Sequence, residues 1–212
     1  ENICIFEMGK GFYKENDEYK ETNKLAILMT GEYYLDINNS KVDFYVLKGV
    51  LEELLDYLGY SNRYRLVVNN LIPKEFHPGQ SAIIELQGRQ IGVMGKLHPN
   101  TIKGNVYALE IDLDKLLVNR GTKMSFKDIP KYPSIIKDFA FVVDKSISAG
   151  DIIAQIKKSG GKLLTNISIF DLYTGENVEK NEKSIAFKLE FMEPTRTLTD
   201  EEVMEVFNKI IS

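Results

Sequence analysis

The chain has 212 residues, of which 43% are hydrophobic and 27% are charged. Its 27 basic and 31 acidic residues give a formal net charge of −4, which excludes a bulk basic surface and leaves only a local contact with nucleic acid. The sequence contains no apolar run of the roughly 18 residues that a membrane span requires, and its first residues do not form a signal peptide. The single cysteine, Cys4, excludes a disulfide framework and is expected to be a small buried hydrophobe. These features predict a cytoplasmic protein with no membrane partner.

The opening of the chain is predicted to form strands. Residues 2–10 have the pattern of a mostly buried strand that begins abruptly, which suggests a fragment of a longer protein. Residues 11–23 are polar and charged and predict a loop or hairpin tip, whereas residues 24–31 predict a core strand.

An amphipathic helix is the clearest element of the first half. Apolar residues between Val42 and Leu58 recur at spacings of three and four, Ser40 is the predicted N-cap and Gly59 the predicted stop. Further strands are predicted at residues 64–68, 81–86, 90–97 and 107–112, with a short helix near Leu116. The stretch around Pro130 and Pro133 has no periodicity, which predicts a boundary between domains at residues 1–122 and 125–212.

The second domain has the element order βαββα. Predicted elements are strand 135–143, helix 148–158, strand 163–173, strand 184–192 and helix 199–211. Gly160 and Gly161 end the first helix, and Thr199 with Glu202 forms a capping box for the second. The order is that of a ferredoxin-like fold without its fourth strand, which would either lie beyond Ser212 or be disordered.

Several segments, spread in order over nearly the whole chain, resemble the β subunit of bacterial phenylalanyl-tRNA synthetases. The strongest signature is Phe170-Asp171-Leu172-Tyr173-Thr174-Gly175, followed by residues 183–191 and 195–202. Weaker matches lie at residues 6–9, 42–49, 76–82 and 92–99. The resemblance implies an α+β chain: a class II synthetase-like antiparallel sheet domain that has lost its active site, then a ferredoxin-fold anticodon-binding domain.

The resemblance also implies what the whole enzyme does. It would join phenylalanine to tRNA(Phe) with ATP and Mg²⁺ as an α₂β₂ tetramer whose active site lies in α, so that this chain would have no catalytic residue and no cofactor of its own. The residues agree, because adenylate formation needs cations at the phosphates, typically arginines in a glycine-rich motif. None of the arginines has a Gly-x-Gly context; they are residues 63, 65, 89, 120 and 196.

A candidate RNA-binding surface follows from strand alternation in the second domain. If Phe139, Phe141 and Val143 face the helices, the opposite sheet face has a floor of small residues with lysines nearby. The predicted RNA-binding residues are Lys137, Asp138, Ala140, Ser184, Ala186 and Lys188. This floor contains no aromatic stacking pair, so shape and hydrogen bonding are expected to recognise the base.

Other interpretations stay open at this point. A ferredoxin-like unit can also be an amino-acid-binding regulatory domain, although the turn at residues 144–148 has no glycine. His77 and His98 both precede proline, which favours turns over a metal site because no third ligand is evident. Gly88, Gly92 and Gly95 favour a hairpin over a phosphate loop. Acidic pairs such as Asp112 with Asp114 favour solvated helix ends over a cation site.

Overall fold

The computed structural model describes residues 2–34, 39–61, 63–118 and 130–212. The chain divides into two compact units, Glu1–Ser125 and Phe126–Ser212. None of the helices in the described ranges has the length and apolarity needed to cross a membrane.

The first unit is built on an antiparallel sheet. Its elements are β1 Ile3–Glu15, β2 Glu18–Thr30, β3 Glu32–Tyr34, β4 Asn39–Lys41, α1 Phe44–Tyr57, β5 Tyr64–Val67, β6 Phe76–Leu86, β7 Arg89–Leu97, β8 Val106–Asp112 and α2 Leu113–Leu117. Six strands form one sheet in the order β1-β2-β8-β7-β6-β5, and β3 pairs with β4. The predicted α+β class is confirmed.

Helix α1 covers one face of the six-stranded sheet and creates the core of the first unit. Leu47, Leu51 and Leu55 are fully buried on the helix and pack against side chains of the sheet, including Met94 and Leu109. The helix begins after Asp43, whose carboxylate accepts a hydrogen bond of 2.8 Å from the backbone N–H of Val46. The prediction that Ser40 caps the helix is therefore wrong, because Ser40 lies in β4.

The β1–β2 hairpin is longer than the sequence predicts. Residues 11–23 were expected to form a loop or hairpin tip; they contain the tip, but the ladder continues without a break to Glu15 opposite Glu18. Asn16 and Asp17 form a two-residue turn with φ of 49° and 64°, a left-handed conformation that asparagine and aspartate tolerate. The strand was not predicted because this part of the hairpin has charged pairs between its strands in place of alternating apolar residues. One of them is the ion pair between the Lys10 ammonium and the Glu21 carboxylate, 2.6 Å apart.

β1 is an exposed edge strand, not the buried strand that its apolar sequence predicts. Phe6 and Met8 are 72% and 65% exposed, and Cys4 is exposed as well. The reason is position: α1 packs on β7 and β8 in the middle of the sheet, whereas β1 lies at its edge. The expectation that Cys4 is buried is wrong for the same reason.

The second unit is a ferredoxin-like arrangement of three strands and two helices within residues 130–212. Its elements are β9 Ile135–Asp144, α3 Ala149–Gly160, β10 Leu164–Tyr173, β11 Glu182–Phe191 and α4 Asp200–Ile211. The strands form an antiparallel sheet in the order β10-β11-β9. In the described residues β9 is an edge strand, and the place of a fourth strand stays a prediction.

The N-terminus of α4 has the predicted capping box. The Thr199 hydroxyl accepts a hydrogen bond from the Glu202 N–H, and the Glu202 carboxylate accepts one from the Thr199 N–H. The Arg196 guanidinium also donates two hydrogen bonds to that carboxylate, at 2.7 and 2.5 Å. These hydrogen bonds lower the pKa of Glu202 to about 2, and those from Arg196 make the largest contribution.

Truncation of Leu51 tests whether α1 is a core element. We expect Leu51→Ala to lower the free energy of unfolding by about 2–5 kcal/mol, because it removes a fully buried side chain and leaves a cavity. Urea denaturation measured by circular dichroism provides the value. Tyr57→Ala on the same helix is the matched control, since Tyr57 is 74% exposed; equal midpoints for the two variants would contradict this packing.

The depressed pKa of Glu202 predicts a pH dependence. A carboxylate whose folded pKa lies below its unfolded value stabilises the fold above the unfolded pKa of about 4.5, and this stabilisation is lost as the pH falls through about 2. An NMR titration of the Glu202 carboxyl carbon should give a midpoint near 2 in the wild type, and a midpoint closer to 4.5 in Arg196→Gln. A wild-type midpoint at 4.5 would show that the ion pair does not hold in solution.

Candidate nucleic-acid interface

The three-stranded sheet has one face packed on helices and one face without a covering helix among the described residues. Ile185, Phe187, Leu189 and Phe191 of β11 are fully or almost fully buried and form a cluster with residues of α3 and α4. On β9, Phe139, Phe141 and Val143 pack against the same cluster. We call the opposite side, which carries the even-numbered residues of β9 and β11, the open face. The predicted alternation is thus found in both strands.

Five of the six predicted RNA-binding residues lie together on the open face. In the β11–β9 ladder Lys188 is directly opposite Asp138, and Ala186 is directly opposite Ala140. Ser184 follows in the next position of that face, opposite Val142. Directly opposed residues of antiparallel strands share a face, with Cβ atoms about 4.5–5.5 Å apart, so these side chains form a continuous surface.

Lys137 does not belong to this surface. It is odd-numbered, so its side chain points to the helix-bearing side of β9, and it pairs with the buried Leu189. Its ammonium lies 3.8 Å from the Asp200 carboxylate at the start of α4. The structure therefore separates Lys137 from the other five residues, because adjacent residues of a strand point to opposite faces.

The floor of the open face is narrower than its small residues predict. Ala186 is only 9% exposed, because β11 is the central strand and neighbours flank it on both sides. Ala140, on the edge strand β9, is exposed. A ligand can therefore reach the open face at Ala140 and the neighbouring Asp138, whereas Ala186 is largely covered by its neighbours.

β10 supplies aromatic side chains that the sequence analysis did not place here. The ladder between β10 and β11 shifts between Ile169 and Asp171, so that two residues of β10 oppose one residue of β11. Phe170 is 55% exposed, and the Lys188 ammonium lies 5.6 Å from the centre of its ring. Tyr173, 42% exposed, lies directly opposite Ser184 and so on the open face. The floor itself, on β9 and β11, has no aromatic residue, whereas β10 places Phe170 and Tyr173 beside it.

A signal for the bulge is present in the sequence. Ile167 and Ile169 face the helices, and strict alternation would put Asp171 there as well. An aspartate at a core position next to Leu172 breaks the period. Such a break indicates an extra residue in the strand, and the structure has Leu172 opposite the buried Ile185.

Gly175 helps to fix the position of Tyr173. A Cβ atom at residue 175 would lie only 2.2 Å from the Tyr173 hydroxyl oxygen, which is closer than non-bonded atoms approach. The phenol ring therefore packs against the turn at Gly175, and a side chain at residue 175 would displace the ring.

The charges of the open face favour bases over phosphates. On the described strand positions of this face, Lys188 is the only cation, whereas five positions are acidic: Asp138, Asp144, Asp171, Glu182 and Glu190. Phosphate contacts depend on basic residues, so this surface offers little to an RNA backbone. Exposed rings, carboxylate acceptors and a small-residue floor are instead the features that unstacked bases contact.

The first unit contains a cavity of about 390 Å³ on the sheet that lacks the chemistry of a nucleotide site. Among the described residues, its lining includes two carboxylates, Glu7 and Glu110, and no arginine or lysine. The remaining lining residues are mostly apolar; they are Ile5, Phe6, Ala26, Ile27, Leu28, Phe76, Leu97, Ala108 and Leu109. Glu110 already forms a 2.7 Å ion pair with Lys24. Acidic walls would repel the phosphates of ATP, whose transfer needs neighbouring cations.

The other candidate motifs have structural roles. His77 accepts a hydrogen bond at Nδ1 from the Gly79 N–H, and His98 accepts one from the Asn100 N–H, which fits the turns that His-Pro predicts. Among the described residues, no three His, Cys, Asp or Glu side chains are grouped so that they could hold a metal ion. Gly88 lies in the β6–β7 turn with φ of 78°. Asp114 accepts hydrogen bonds from Thr22 and Asn23 and so fixes α2 to β2.

Each of the two units matches a known protein family. Residues 1–113 match the family described as phenylalanyl tRNA synthetase beta chain CLM domain, and residues 130–212 match the ferredoxin-fold anticodon binding domain. The phenylalanine–tRNA ligase beta subunit of Bacillus subtilis (strain 168) is 36% identical over 220 residues, which cover 100% of this chain and 27% of the relative. The beta subunit of Bacillus thuringiensis subsp. konkukian is 37% identical over 221 residues with the same coverage.

The chain thus spans about 27% of the length of these relatives. The first family match alone covers more than half of the 212 residues, because it extends from residue 1 to residue 113. A resemblance first inferred from short motifs is therefore found along both units. The chain belongs to the phenylalanyl-tRNA synthetase β-chain family.

Proposed function

We infer that this chain is the C-terminal portion of a phenylalanine–tRNA ligase β subunit and that its second unit binds the anticodon stem-loop of tRNA(Phe) through the open face. The observation that carries this proposal is the combination of two exposed rings, Phe170 and Tyr173, with the accessible floor at Ala140. The match of residues 130–212 to the anticodon-binding family supports it.

The division of labour within the chain is also part of the proposal. Residues 1–122 form a synthetase-like domain that holds the assembly together without catalysis, and residues 125–212 form the anticodon-binding domain. The cavity on the first sheet supports a non-catalytic role, because the charged side chains among its described lining residues, Glu7 and Glu110, are acidic. The whole enzyme would use ATP and Mg²⁺, contain an α subunit with the active site in an α₂β₂ tetramer, and act in the cytoplasm.

In the proposed complex, unstacked anticodon bases lie over the open face. Phe170 and Tyr173 supply ring surfaces for stacking, and Asp138 and Asp171 accept hydrogen bonds from base N–H groups. Lys188 is placed between the floor and the Phe170 ring and provides one contact to a phosphate. Since the face is acidic overall, most of the binding energy comes from the bases and not from the backbone.

Ring removal tests this proposal. Base–aromatic stacking contributes about 1–3 kcal/mol per base, so Phe170→Ala and Tyr173→Ala should each weaken binding by roughly 5- to 150-fold. The measurement is fluorescence anisotropy with a labelled anticodon stem-loop of tRNA(Phe). Tyr57→Ala is the matched control, because Tyr57 is an exposed aromatic residue of the first unit, and it should leave the affinity unchanged.

Substitutions of the floor and its lysine complete the test. Ala140→Glu should weaken RNA binding at least about tenfold, because the glutamate adds bulk and a negative charge that the RNA repels. Ala186→Glu is a poorer test, because Ala186 is only 9% exposed and the substitution would also disturb packing. Lys188→Ala should reduce the salt dependence of the RNA-binding constant by the amount expected for about one phosphate contact. Lys137→Ala should leave this salt dependence unchanged. Wild-type affinity in folded Phe170→Ala, Tyr173→Ala and Ala140→Glu would overturn the proposal. Calorimetric binding of free phenylalanine without RNA binding would favour the regulatory alternative.

A second experiment tests the non-catalytic role. The purified chain should show no phenylalanine-dependent exchange between ATP and pyrophosphate, because none of the described residues that line the cavity of the first unit is an arginine or a lysine that could neutralise phosphate charge. Exchange activity that follows the protein through purification, and that disappears in Glu7→Ala, would place an active site here and contradict the assignment.

A further inference from the structure

The turn between β10 and β11, residues 174–181, contains a glycine that lies directly against an aromatic side chain of the open face. A Cβ atom at Gly175 would lie 2.7 Å from Cε2 of Tyr173 and closer still to Cζ and the hydroxyl oxygen of that residue. The three atoms nearest to that position therefore all belong to one phenol group. The ring in its present position and a side chain at residue 175 exclude each other.

The φ angle at Gly175 does not itself require a glycine. It lies outside the left-handed region, in which most side chains are strained. Gly161 is the opposite case, because its φ is 59° and a Cβ atom there would meet no atom within 4 Å. At residue 175 the constraint is therefore the Tyr173 ring and not the conformation of the chain.

Hydrogen bonds hold the backbone of this turn in place. The Val178 N–H donates to the Gly175 carbonyl at 3.1 Å, and the Lys145 N–H donates to the Asn181 carbonyl at 2.8 Å. The Lys183 ammonium donates to the Lys145 carbonyl at 3.0 Å, which ties the turn between β9 and α3 to β11. The end of a tyrosine side chain, in contrast, moves whenever χ1 changes from one staggered value to another. A methyl group at residue 175 should therefore displace the ring and leave the turn in place.

We propose that Gly175 is a positioning residue for RNA binding, because it lets the Tyr173 ring rest on the turn and so holds the ring beside the open face. This inference rests on the proposed function of that face. Tyr173 is 42% exposed and lies directly opposite Ser184. A side chain that is ordered only when its ligand binds lowers the affinity, and a side chain that is ordered beforehand does not. Contact with the turn supplies that order before the RNA arrives.

The effect of Gly175 on RNA binding is indirect. The residue has no side chain with which to contact a base, so its substitution should act through Tyr173 alone. The salt dependence of the RNA-binding constant should be the same in Gly175→Ala and in the wild type, because no phosphate contact is removed.

Fluorescence anisotropy with the labelled anticodon stem-loop tests the proposal. Gly175→Ala should weaken binding at least about fivefold, the lower end of the loss expected for one stacked base. Gly150→Ala is the matched control in the same unit, because a Cβ atom there would lie 3.7 Å from the Ser148 hydroxyl oxygen, an ordinary contact. The control should keep wild-type affinity. Urea midpoints of both variants should equal that of the wild type, since only the position of one ring changes.

A double-mutant cycle separates positioning from a general effect on the fold. In a Tyr173→Ala background, Gly175→Ala should change the affinity by less than about twofold, because substitutions that act through one side chain are not additive. An equal loss of affinity in both backgrounds would overturn the proposal.

NMR of the free chain provides a test that needs no RNA. The wild type should show nuclear Overhauser effects between the Gly175 Hα atoms and the ring protons of Tyr173, and their absence would overturn the proposal. Wild-type affinity in Tyr173→Ala would contradict the proposed role of that ring in RNA binding. Weakened binding in Tyr173→Ala together with wild-type affinity in Gly175→Ala would overturn the positioning role alone.

Discussion

The burial of Phe187 against the other aromatic residues of its sheet determines the geometry of the second unit. Its ring is fully buried and lies 5.6 Å, centre to centre, from the rings of both Phe139 and Phe141. This stack holds β9 and β11 in one register and directs both strands toward α3 and α4. Because a strand alternates its side chains, the same packing determines which residues form the open face. A shift by one residue would bury Lys188 and expose Phe187.

The open face therefore depends on the core beneath it and on one local exception. The alternation fixed by Phe187 positions Asp138, Ala140, Ser184, Ala186 and Lys188 together. The bulge at Phe170 then adds side chains of β10 to the same surface. Bulges redirect side chains at functional sites, and here the bulge supplies the rings that the two other strands lack.

Much of this arrangement could be predicted from the sequence. The helix with Leu47, Leu51 and Leu55, the strands of the second unit and the capping box at Thr199 follow from periodicity and local chemistry. In the first unit the six strands of the large sheet were predicted, although most of them not to their full length, and the short strands β3 and β4 were not. Lys137 was predicted to lie on the open face, but its odd position in β9 directs its side chain to the helices. Phe170 and Tyr173 were missed because a bulge changes the period, and Cys4 was placed in the core because an apolar sequence does not show whether a strand is central or at an edge.

The claim that the open face binds RNA is tested most simply by an amide NMR titration of the chain with the anticodon stem-loop of tRNA(Phe). Chemical-shift changes should concentrate in residues 138–140, 170–173 and 184–188, and the residues of α3 and α4 should change little. Changes centred on the two helices, or an absence of saturable changes at millimolar RNA, would contradict the claim that the open face binds RNA.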